Sequence, residues 1–236
     1  MKPALRFIDS WTWIEMGTKY WEQPMVGKFF SLMLFGLCMA ASAGCSRSSD
    51  NQTSSATPPA PRVDSSPPTP ELLSALGNLG ELVVSSTDGQ STALSQFADQ
   101  QTLVLVFSRG YFGSICPFCS TQMHALAESH SEFEKRNATV VVVFPVSQVD
   151  DKDRWKDLEA SILERLPSGQ IIPFPILIDL DLKAVDRLGI REALSKPSTF
   201  IIDPSKNLRY KYIGSDPADR PDVQTILQQL DGISKS

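Results

Sequence analysis

This sequence has few cysteines and histidines, no long basic run and no long apolar stretch. Its 236 residues include only 4 Cys and 2 His, too few cysteines for a disulfide-dense mini-protein. The formal net charge of −5, without a basic cluster, argues against a nucleic-acid binder. No apolar run reaches the roughly 18 residues of a confident membrane span, which excludes a multispanning protein.

The N-terminal region has the pattern of an export signal. Lys28 supplies a positive charge just before the apolar stretch 29–43, and that stretch ends in small residues. A charged start, a short apolar middle and a small-residue exit are typical of a signal peptide. Residues 25–45 are therefore predicted to be the signal, and residues 1–24 a misassigned start or an extension.

Two processing routes are compatible with the end of this signal. Cleavage after Ala41-Ser42-Ala43 would release a soluble periplasmic protein. Alternatively, Ser42-Ala43-Gly44-Cys45 resembles a bacterial lipobox, in which Cys45 is lipidated and becomes the first residue. We favour the lipid anchor, and hence the bacterial cell envelope, because 16 of the 25 residues in 46–70 are Ser, Thr or Pro. Such a segment predicts a disordered linker that would tether a domain to a membrane.

The remaining residues, 71–236, are predicted to form one domain in which strands and helices alternate. Continuous β-branched runs at 102–107 and 139–146 are typical of strands buried on both faces of a sheet. Further strands are predicted at 81–86, 174–178, 199–203 and 208–212, and helices at 116–136, 151–166, 182–188 and from 219 or 221 to 230. This order predicts an α/β sandwich, with a central mixed β-sheet flanked by helices.

The two cysteines of this domain are predicted to be a redox dithiol. They occur as Cys116-Pro117-Phe118-Cys119, after a buried strand and at the start of a helix. The unpaired N–H groups and dipole of a helix N-terminus favour a thiolate at Cys116, and Pro117 fits the first helical turn. Cys119, one turn further on, is better placed to resolve a mixed disulfide than to start one.

Over residues 78–234 the chain resembles the thioredoxin-fold redoxins of the alkyl hydroperoxide reductase/thiol-specific antioxidant (AhpC/TSA, peroxiredoxin-like) family. The segments that carry the resemblance are Phe107–Gly110, Cys116–Cys119, Lys196–Asp203, Tyr212–Gly214 and Asp219–Pro221. It implies a thioredoxin-like sandwich whose Cys116–Cys119 disulfide is redox-active, with no other cofactor. It also implies a cis peptide bond before Pro197, with Ser198 and the backbone around Pro197 pairing with substrate beside Cys116.

One family motif is absent. Peroxiredoxins carry Pro-x-x-x-Thr/Ser-x-x-Cys, but these positions are Arg109 and Gly113 before Cys116, and Phe112 and Cys116 before Cys119. The favoured prediction is therefore an exported, membrane-tethered thiol–disulfide oxidoreductase, acting on a protein or small-molecule disulfide with an unidentified electron donor. The alternatives are a thiol-dependent peroxidase that reduces hydroperoxides, and a non-catalytic binding module that the disulfide merely stabilises.

Other candidate residues are weaker. Arg109 could lower the pKa of Cys116 or bind an anionic substrate, or it could be a solvated loop residue. No metal site is predicted, because structural zinc requires four ligands and Cys116 and Cys119 offer two. Ser120 stands where a haem-attachment motif requires His. His124 is interpreted as a partly buried helix residue.

Overall fold

A computed structural model describes residues 66–233 of the chain. The predicted signal and extension, the lipidation site Cys45 and the linker up to residue 65 lie outside the described residues. Within residues 66–233, none of the helices combines the length and the apolar character that crossing a membrane requires.

Seven strands and six α-helices make up the described domain. The strands are β1 (Val83–Ser85), β2 (Ser91–Ala93), β3 (Thr102–Phe107), β4 (Ala138–Val146), β5 (Ile176–Leu180), β6 (Ser198–Ile202) and β7 (Leu208–Ile213). The helices are α1 (Pro70–Gly77), α2 (Pro117–Glu128), α3 (His130–Glu134), α4 (Trp155–Leu163), α5 (Lys183–Arg187) and α6 (Val223–Ile233). Short 3₁₀ turns span Leu79–Glu81, Leu94–Phe97 and Val149–Arg154.

The strands form one mixed sheet in the order β2-β1-β5-β4-β3-β6-β7. The central strands β3, β4 and β5 are parallel, whereas β6, β7 and β1 join antiparallel. The two continuous β-branched runs of the sequence are β3 and β4, at the centre of the sheet. This arrangement confirms the predicted α/β sandwich with a central mixed sheet.

Apolar side chains of β3 alternate between two hydrophobic cores, one on each face of the sheet. Val104 and Val106 join the core that also holds residues of α2, α4 and α6. Leu103, Leu105 and Phe107 join the opposite core, with α1 and α5. Burying one side chain of this size stabilises the folded state by about 1.5–3 kcal/mol. The side chains on both faces of β3 therefore stabilise its position in the interior of the domain.

Helix α1 was not expected, because it begins inside the segment predicted as linker. Thr69 is its N-cap, with Oγ1 accepting a hydrogen bond from the Leu72 backbone N–H at 3.2 Å, and Pro70 occupies the first turn. Leu72 and Leu76, spaced one helical turn apart, are buried in the core that α1 shares with α5. A cap and two apolar residues are thus enough to start the domain earlier than composition suggested.

Three predicted helices differ from the observed ones at their ends. The helix predicted over 116–136 is two helices, α2 and α3, which meet at Ser129. The helix predicted over 151–166 starts as the 3₁₀ turn Val149–Arg154. The last helix, predicted from 219 or 221 to 230, instead spans Val223–Ile233 and so continues through Gly232. Burial of Ile226, Leu227 and Leu230 against the sheet outweighs the modest helix penalty of one glycine.

Candidate active site

The loop after β3 runs along the end of β4 and leads into α2. The Ser108 N–H donates to the Val143 carbonyl at 3.0 Å, and the Tyr111 N–H donates to the Pro145 carbonyl at 3.2 Å. Between them Gly110 has φ +91°, and a Cβ there would overlap the Pro145 carbonyl oxygen. Only glycine combines this backbone conformation with so close a strand.

A small turn then sets the start of α2. Tyr111 and Ile115 pair as an isolated antiparallel bridge, and the Tyr111 hydroxyl donates to the Gly113 carbonyl at 3.1 Å. Cys116 follows as the N-cap of α2, with extended backbone angles, and Pro117 opens the helix. The dithiol therefore lies at a strand-to-helix junction, with one sulfur before the first helical turn and the other within it.

Cys116 is the more accessible and the more acidic of the two thiols. The Cys119 thiol donates a hydrogen bond that lowers the pKa of Cys116 from its ordinary value of 9.0 to about 5, helped by the N–H groups of Cys119 and Phe118 and by the charge of Arg220. These effects outweigh burial, which leaves Cys116 only 9% exposed. Cys116 is thus a thiolate at neutral pH, the form that acts as a nucleophile.

The reaction of Cys116 with an alkylating agent should therefore be half-maximal near pH 5 and constant above about pH 7. Only the thiolate reacts, so its rate falls as pH drops through the lowered pKa of about 5. An unperturbed thiol, with the ordinary pKa of 9.0, would still gain rate up to about pH 10. Iodoacetamide labelling, read by mass spectrometry on tryptic peptide 110–135, measures this profile. A half-maximal pH above about 7 would contradict the thiolate assignment.

Cys119 is the buried partner, with 2% of its surface exposed. Its Sγ accepts hydrogen bonds from the Arg109 backbone N–H at 3.4 Å and from Arg220 Nη2 at 3.7 Å. The hydrogen bond with Cys116 and burial both raise the pKa of Cys119 above its ordinary value. The two thiols therefore have different chemistry: Cys116 can attack, and Cys119 holds its proton until Cys116 has reacted.

Arg220 is the charged site residue that the sequence analysis did not predict. It lies between β7 and α6, 101 positions from Cys119 along the chain. Its Nη1 donates to Gln122 Oε1 at 2.7 Å and its Nη2 donates to the Pro217 carbonyl at 2.6 Å. The segment Asp219–Pro221 contributed to the family resemblance, but no local pattern indicates that this arginine reaches the dithiol.

Arg109 contributes mainly through its backbone. Its N–H reaches Cys119 Sγ, and its guanidinium carbon lies 6.0 Å from the centre of the Phe112 ring. The charged side chain that shifts the pKa of Cys116 and of Cys119 is Arg220. The Arg109 side chain instead lines the cleft in front of Cys116, where it can meet an anionic group.

This cleft has a volume of about 290 Å³ and is largely apolar. Its lining comprises Arg109, Gly110, Phe112, Ser114, Ile115, Cys116, Pro117, Phe118 and Pro217. Phe112 is 66% exposed and Phe118 50%, so two aromatic rings at the opening are accessible to a ligand. A concave apolar surface with one reactive group and one cation suits a small organic substrate.

The Pro197 segment differs from the expectation. The peptide bond before Pro197 is trans, so the predicted cis bond is wrong. The Lys196 N–H donates to the Ile190 carbonyl at 2.9 Å and the Gly214 N–H to the Pro197 carbonyl at 2.8 Å. These bonds hold the segment extended as it enters β6, and trans is the lower-energy form of most X–Pro bonds.

Ser198 is paired within the sheet on both sides. Its backbone is paired with Phe107 on one side and Ile213 on the other, and its hydroxyl donates to the Lys196 carbonyl at 3.0 Å. The lining of the cleft at Cys116 includes Arg109 but neither Pro197 nor Ser198. The structure therefore brings together Cys116, Cys119 and Arg109, and leaves Ser198 no free backbone edge for a substrate.

His124 pairs with a carboxylate of its own helix: His124 Nε2 lies 3.2 Å from Glu128 Oε2. In the part of the chain that the structure describes, no cluster of three or more His, Cys, Asp or Glu side chains is arranged to hold a metal ion.

Comparisons with known proteins agree with this geometry. The family model described as "AhpC/TSA family" matches residues 79–211. A 1-Cys peroxiredoxin of Dictyostelium discoideum is 33% identical over 99 residues, covering 39% of this chain and 38% of that protein. The 1-Cys peroxiredoxin PER1 of Triticum aestivum is 25% identical over 118 residues, covering 47% and 51%. The chain thus spans about half the length, or less, of these two relatives.

Solved structures show the same fold. The yeast mitochondrial 1-Cys peroxiredoxin has a TM-score of 0.51 at 20% identity, covering 65% of this chain and 72% of that one. Peroxiredoxin 6 of Arenicola marina, crystallised as a Cys-to-Ser mutant, has a TM-score of 0.50 at 21% identity, covering 66% and 73%. Together with the family match over residues 79–211, they identify the described domain: the chain belongs to the AhpC/TSA family, as a thioredoxin-fold redoxin of the peroxiredoxin-like kind.

Proposed function

We propose that this protein is a thiol-dependent peroxidase that reduces organic hydroperoxides with Cys116 and stores the oxidation as a Cys116–Cys119 disulfide. The observation that carries the proposal is the position of Cys116, which is the N-cap of α2 and lines an apolar cleft; the lowered pKa of its thiol, about 5, supports it. Membership of the AhpC/TSA family supports peroxide over the disulfide substrate favoured by the sequence alone.

The reaction follows from these two sulfurs. The Cys116 thiolate attacks one peroxide oxygen, an S–O bond forms, the O–O bond breaks, and the alkoxide takes a proton and leaves as an alcohol. Cys116 is then a sulfenic acid. The Cys119 sulfur attacks it, an S–S bond forms, and hydroxide leaves as water with a proton. A dithiol donor reduces the disulfide and completes the cycle.

Disulfide exchange is the second candidate function. The observation that favours it is the missing hydroxyl residue three positions before Cys116, where Gly113 stands. A peroxidase uses that hydroxyl to orient the peroxide oxygen, whereas disulfide exchange does not require it. Two cysteines within one helical turn are sufficient for exchange. Without that hydroxyl, a peroxide bound at Cys116 would receive its hydrogen bonds from the backbone N–H groups of Phe118 and Cys119, which face the Cys116 sulfur.

Steady-state rates distinguish the two functions. Reduced protein is assayed with hydrogen peroxide, cumene hydroperoxide and insulin disulfides, using dithiothreitol as the donor. We expect kcat/KM for cumene hydroperoxide to exceed that for insulin by at least about tenfold. A protein that reduces insulin at the higher rate is a thiol–disulfide oxidoreductase, and this result would overturn the peroxidase proposal.

Truncating the aromatic rings of the cleft should weaken binding of apolar peroxides. Phe112→Ala is expected to raise the KM for cumene hydroperoxide about tenfold, because losing roughly 50 Å² of apolar contact costs about 1.3 kcal/mol. The KM for hydrogen peroxide, which has no apolar group, should stay within about twofold. Ile171→Ala, an exposed apolar residue outside the cleft lining, is the control. Equal effects on both peroxides would refute a role for the ring in selecting substrate.

We also propose that the domain works outside the cytoplasm, anchored to a membrane through Cys45. The support is the signal-like segment 25–45 and the Ser/Pro-rich segment 46–70. The full chain, expressed in a bacterium, should fractionate with membranes, and Cys45→Ala should move it to the soluble periplasmic fraction. A wild-type chain that stays in the cytoplasm would contradict export, and a membrane-bound Cys45→Ala variant would contradict the lipid anchor.

A further inference from the structure

The loop between β7 and α6, residues 214–222, is cross-linked by its own hydrogen bonds and contacts the dithiol through Arg220. Asp219 accepts a hydrogen bond from the Tyr212 hydroxyl and, at 2.8 Å each, from the Ser215 N–H and hydroxyl. A Cβ at Gly214 would overlap the Asp219 carbonyl oxygen, so the two ends of the loop are in close contact. The Arg220 side chain therefore starts from a well-defined backbone position.

The guanidinium of Arg220 is oriented by neutral acceptors. It donates to the Gln122 side-chain amide oxygen at 2.7 Å and to the Pro217 carbonyl at 2.6 Å. These contacts fix its plane without neutralising its positive charge, and its buried Nε has no hydrogen-bond partner among the described residues. The remaining Nη2 contact, at 3.7 Å, is with Cys119 Sγ.

The two sulfurs differ in their main source of positive potential. The first-turn N–H groups of α2 face Cys116, to which the charge of Arg220 adds a smaller contribution, whereas the hydrogen bonds that reach Cys119 come from Arg220 Nη2 and the Arg109 backbone N–H. Cys119 is almost completely buried, so its ionisation needs compensation by a nearby charge. Among these contacts, Arg220 is the one that carries a full charge.

We propose that Arg220 is a catalytic residue of the resolving step, in which it stabilises the Cys119 thiolate that attacks oxidised Cys116. This inference rests on the proposed peroxidase cycle. In this step Cys119 releases its proton, its Sγ bonds to Cys116 Sγ, the Cys116 S–O bond breaks and water leaves. When a dithiol donor later reduces the disulfide, the same charge stabilises Cys119 as the leaving thiolate, and Cys119 then takes up a proton.

A single-turnover experiment separates the two halves of the cycle. Reduced full-length protein receives one equivalent of hydrogen peroxide and is quenched in acid at set times. Free thiols are then alkylated, and the mass of tryptic peptide 110–135 is measured by mass spectrometry. We expect Arg220→Gln to slow disulfide closure at pH 7 at least about tenfold, while peroxide consumption changes less than about threefold. Arg220→Lys, which keeps the charge, should recover most of the closure rate.

Two further variants complete the comparison. Arg187→Gln removes an arginine of α5, on the opposite face of the sheet from α2, and should behave as wild type. Gln122→Met removes the uncharged acceptor of the Arg220 Nη1 hydrogen bond and should slow disulfide formation about threefold. This variant tests the proposal if Arg220→Gln does not fold. Closure within twofold of wild type in folded Arg220→Gln, or an equal loss in both half-reactions, would overturn the proposal. So would a Lys variant as slow as the Gln variant.

A second readout does not depend on peroxide. In a Cys116→Ser chain the groups that face the Cys119 thiol are Arg220, the Arg109 N–H and the uncharged hydroxyl of the introduced serine. Adding Arg220→Gln should move the pH profile of Cys119 alkylation upward by about one pH unit. This shift, combined with a wild-type chain that shows no peroxidase activity, would leave the effect of Arg220 on Cys119 standing and refute the proposed function. No shift would refute the role of Arg220 even in an active peroxidase.

Discussion

Replacing Cys116 with serine is expected to abolish both peroxide reduction and disulfide reduction, each by at least about a thousandfold. Serine keeps the shape of the N-cap but not the nucleophile, because a hydroxyl is not ionised at neutral pH, whereas the Cys116 thiol has a pKa of about 5. The measurement is steady-state turnover with cumene hydroperoxide and with insulin, normalised to folded protein by circular dichroism.

Cys119→Ser is the matched control for this experiment. It should still consume one equivalent of peroxide per chain in a single turnover, since the attacking sulfur remains. It should form no disulfide in peptide 110–135, and with excess peroxide it should accumulate sulfinic acid at Cys116. Residual activity in Cys116→Ser above about one part in a hundred, or a Cys119→Ser variant unable to consume peroxide, would reverse the assigned roles of the two sulfurs.

Gly110→Ala is expected to be the most destabilising substitution near the site, by about 3 kcal/mol or more. Gly110 combines φ +91° with a backbone approach that leaves no room for a Cβ beside the Pro145 carbonyl. The new methyl group would push the loop away from β4 and displace Cys116 with it. Urea unfolding measures the loss of stability, and the peroxidase assay should show loss of activity in the protein that remains folded.

Gly113→Ala provides the comparison for that prediction. Gly113 lies in the same loop with φ +76°, but a Cβ there would meet no atom within 4 Å. Its substitution should cost only the backbone penalty of about 1–2 kcal/mol. Equal losses of unfolding free energy for the two variants would show that close packing against Pro145 has no energetic importance.

The central sheet was predictable because its signals are local. Strands β3 and β4 are continuous β-branched runs, a composition typical of strands buried on both faces of a sheet. Element ends were less predictable. Helix α1 begins at Pro70, where the Ser/Pro-rich composition suggested a linker, and α6 continues through Gly232. In both cases packing of apolar side chains on the sheet overrides the preference of one or two residues at the boundary.

The same division applies to the site. The sequence by itself determined the position of the dithiol and the difference between its sulfurs, because strand, turn and helix N-terminus are consecutive in the chain and the helix tip acts within one turn. Only the tertiary structure decided that Arg220 is the charge beside Cys119, that Ser198 is paired on both sides and that the bond before Pro197 is trans. Arg220 and Cys119 are 101 positions apart, and the Pro197 segment and Ser198 are held by backbone bonds to separate strands and loops. These contacts are set by the packing of the whole domain rather than by any local pattern.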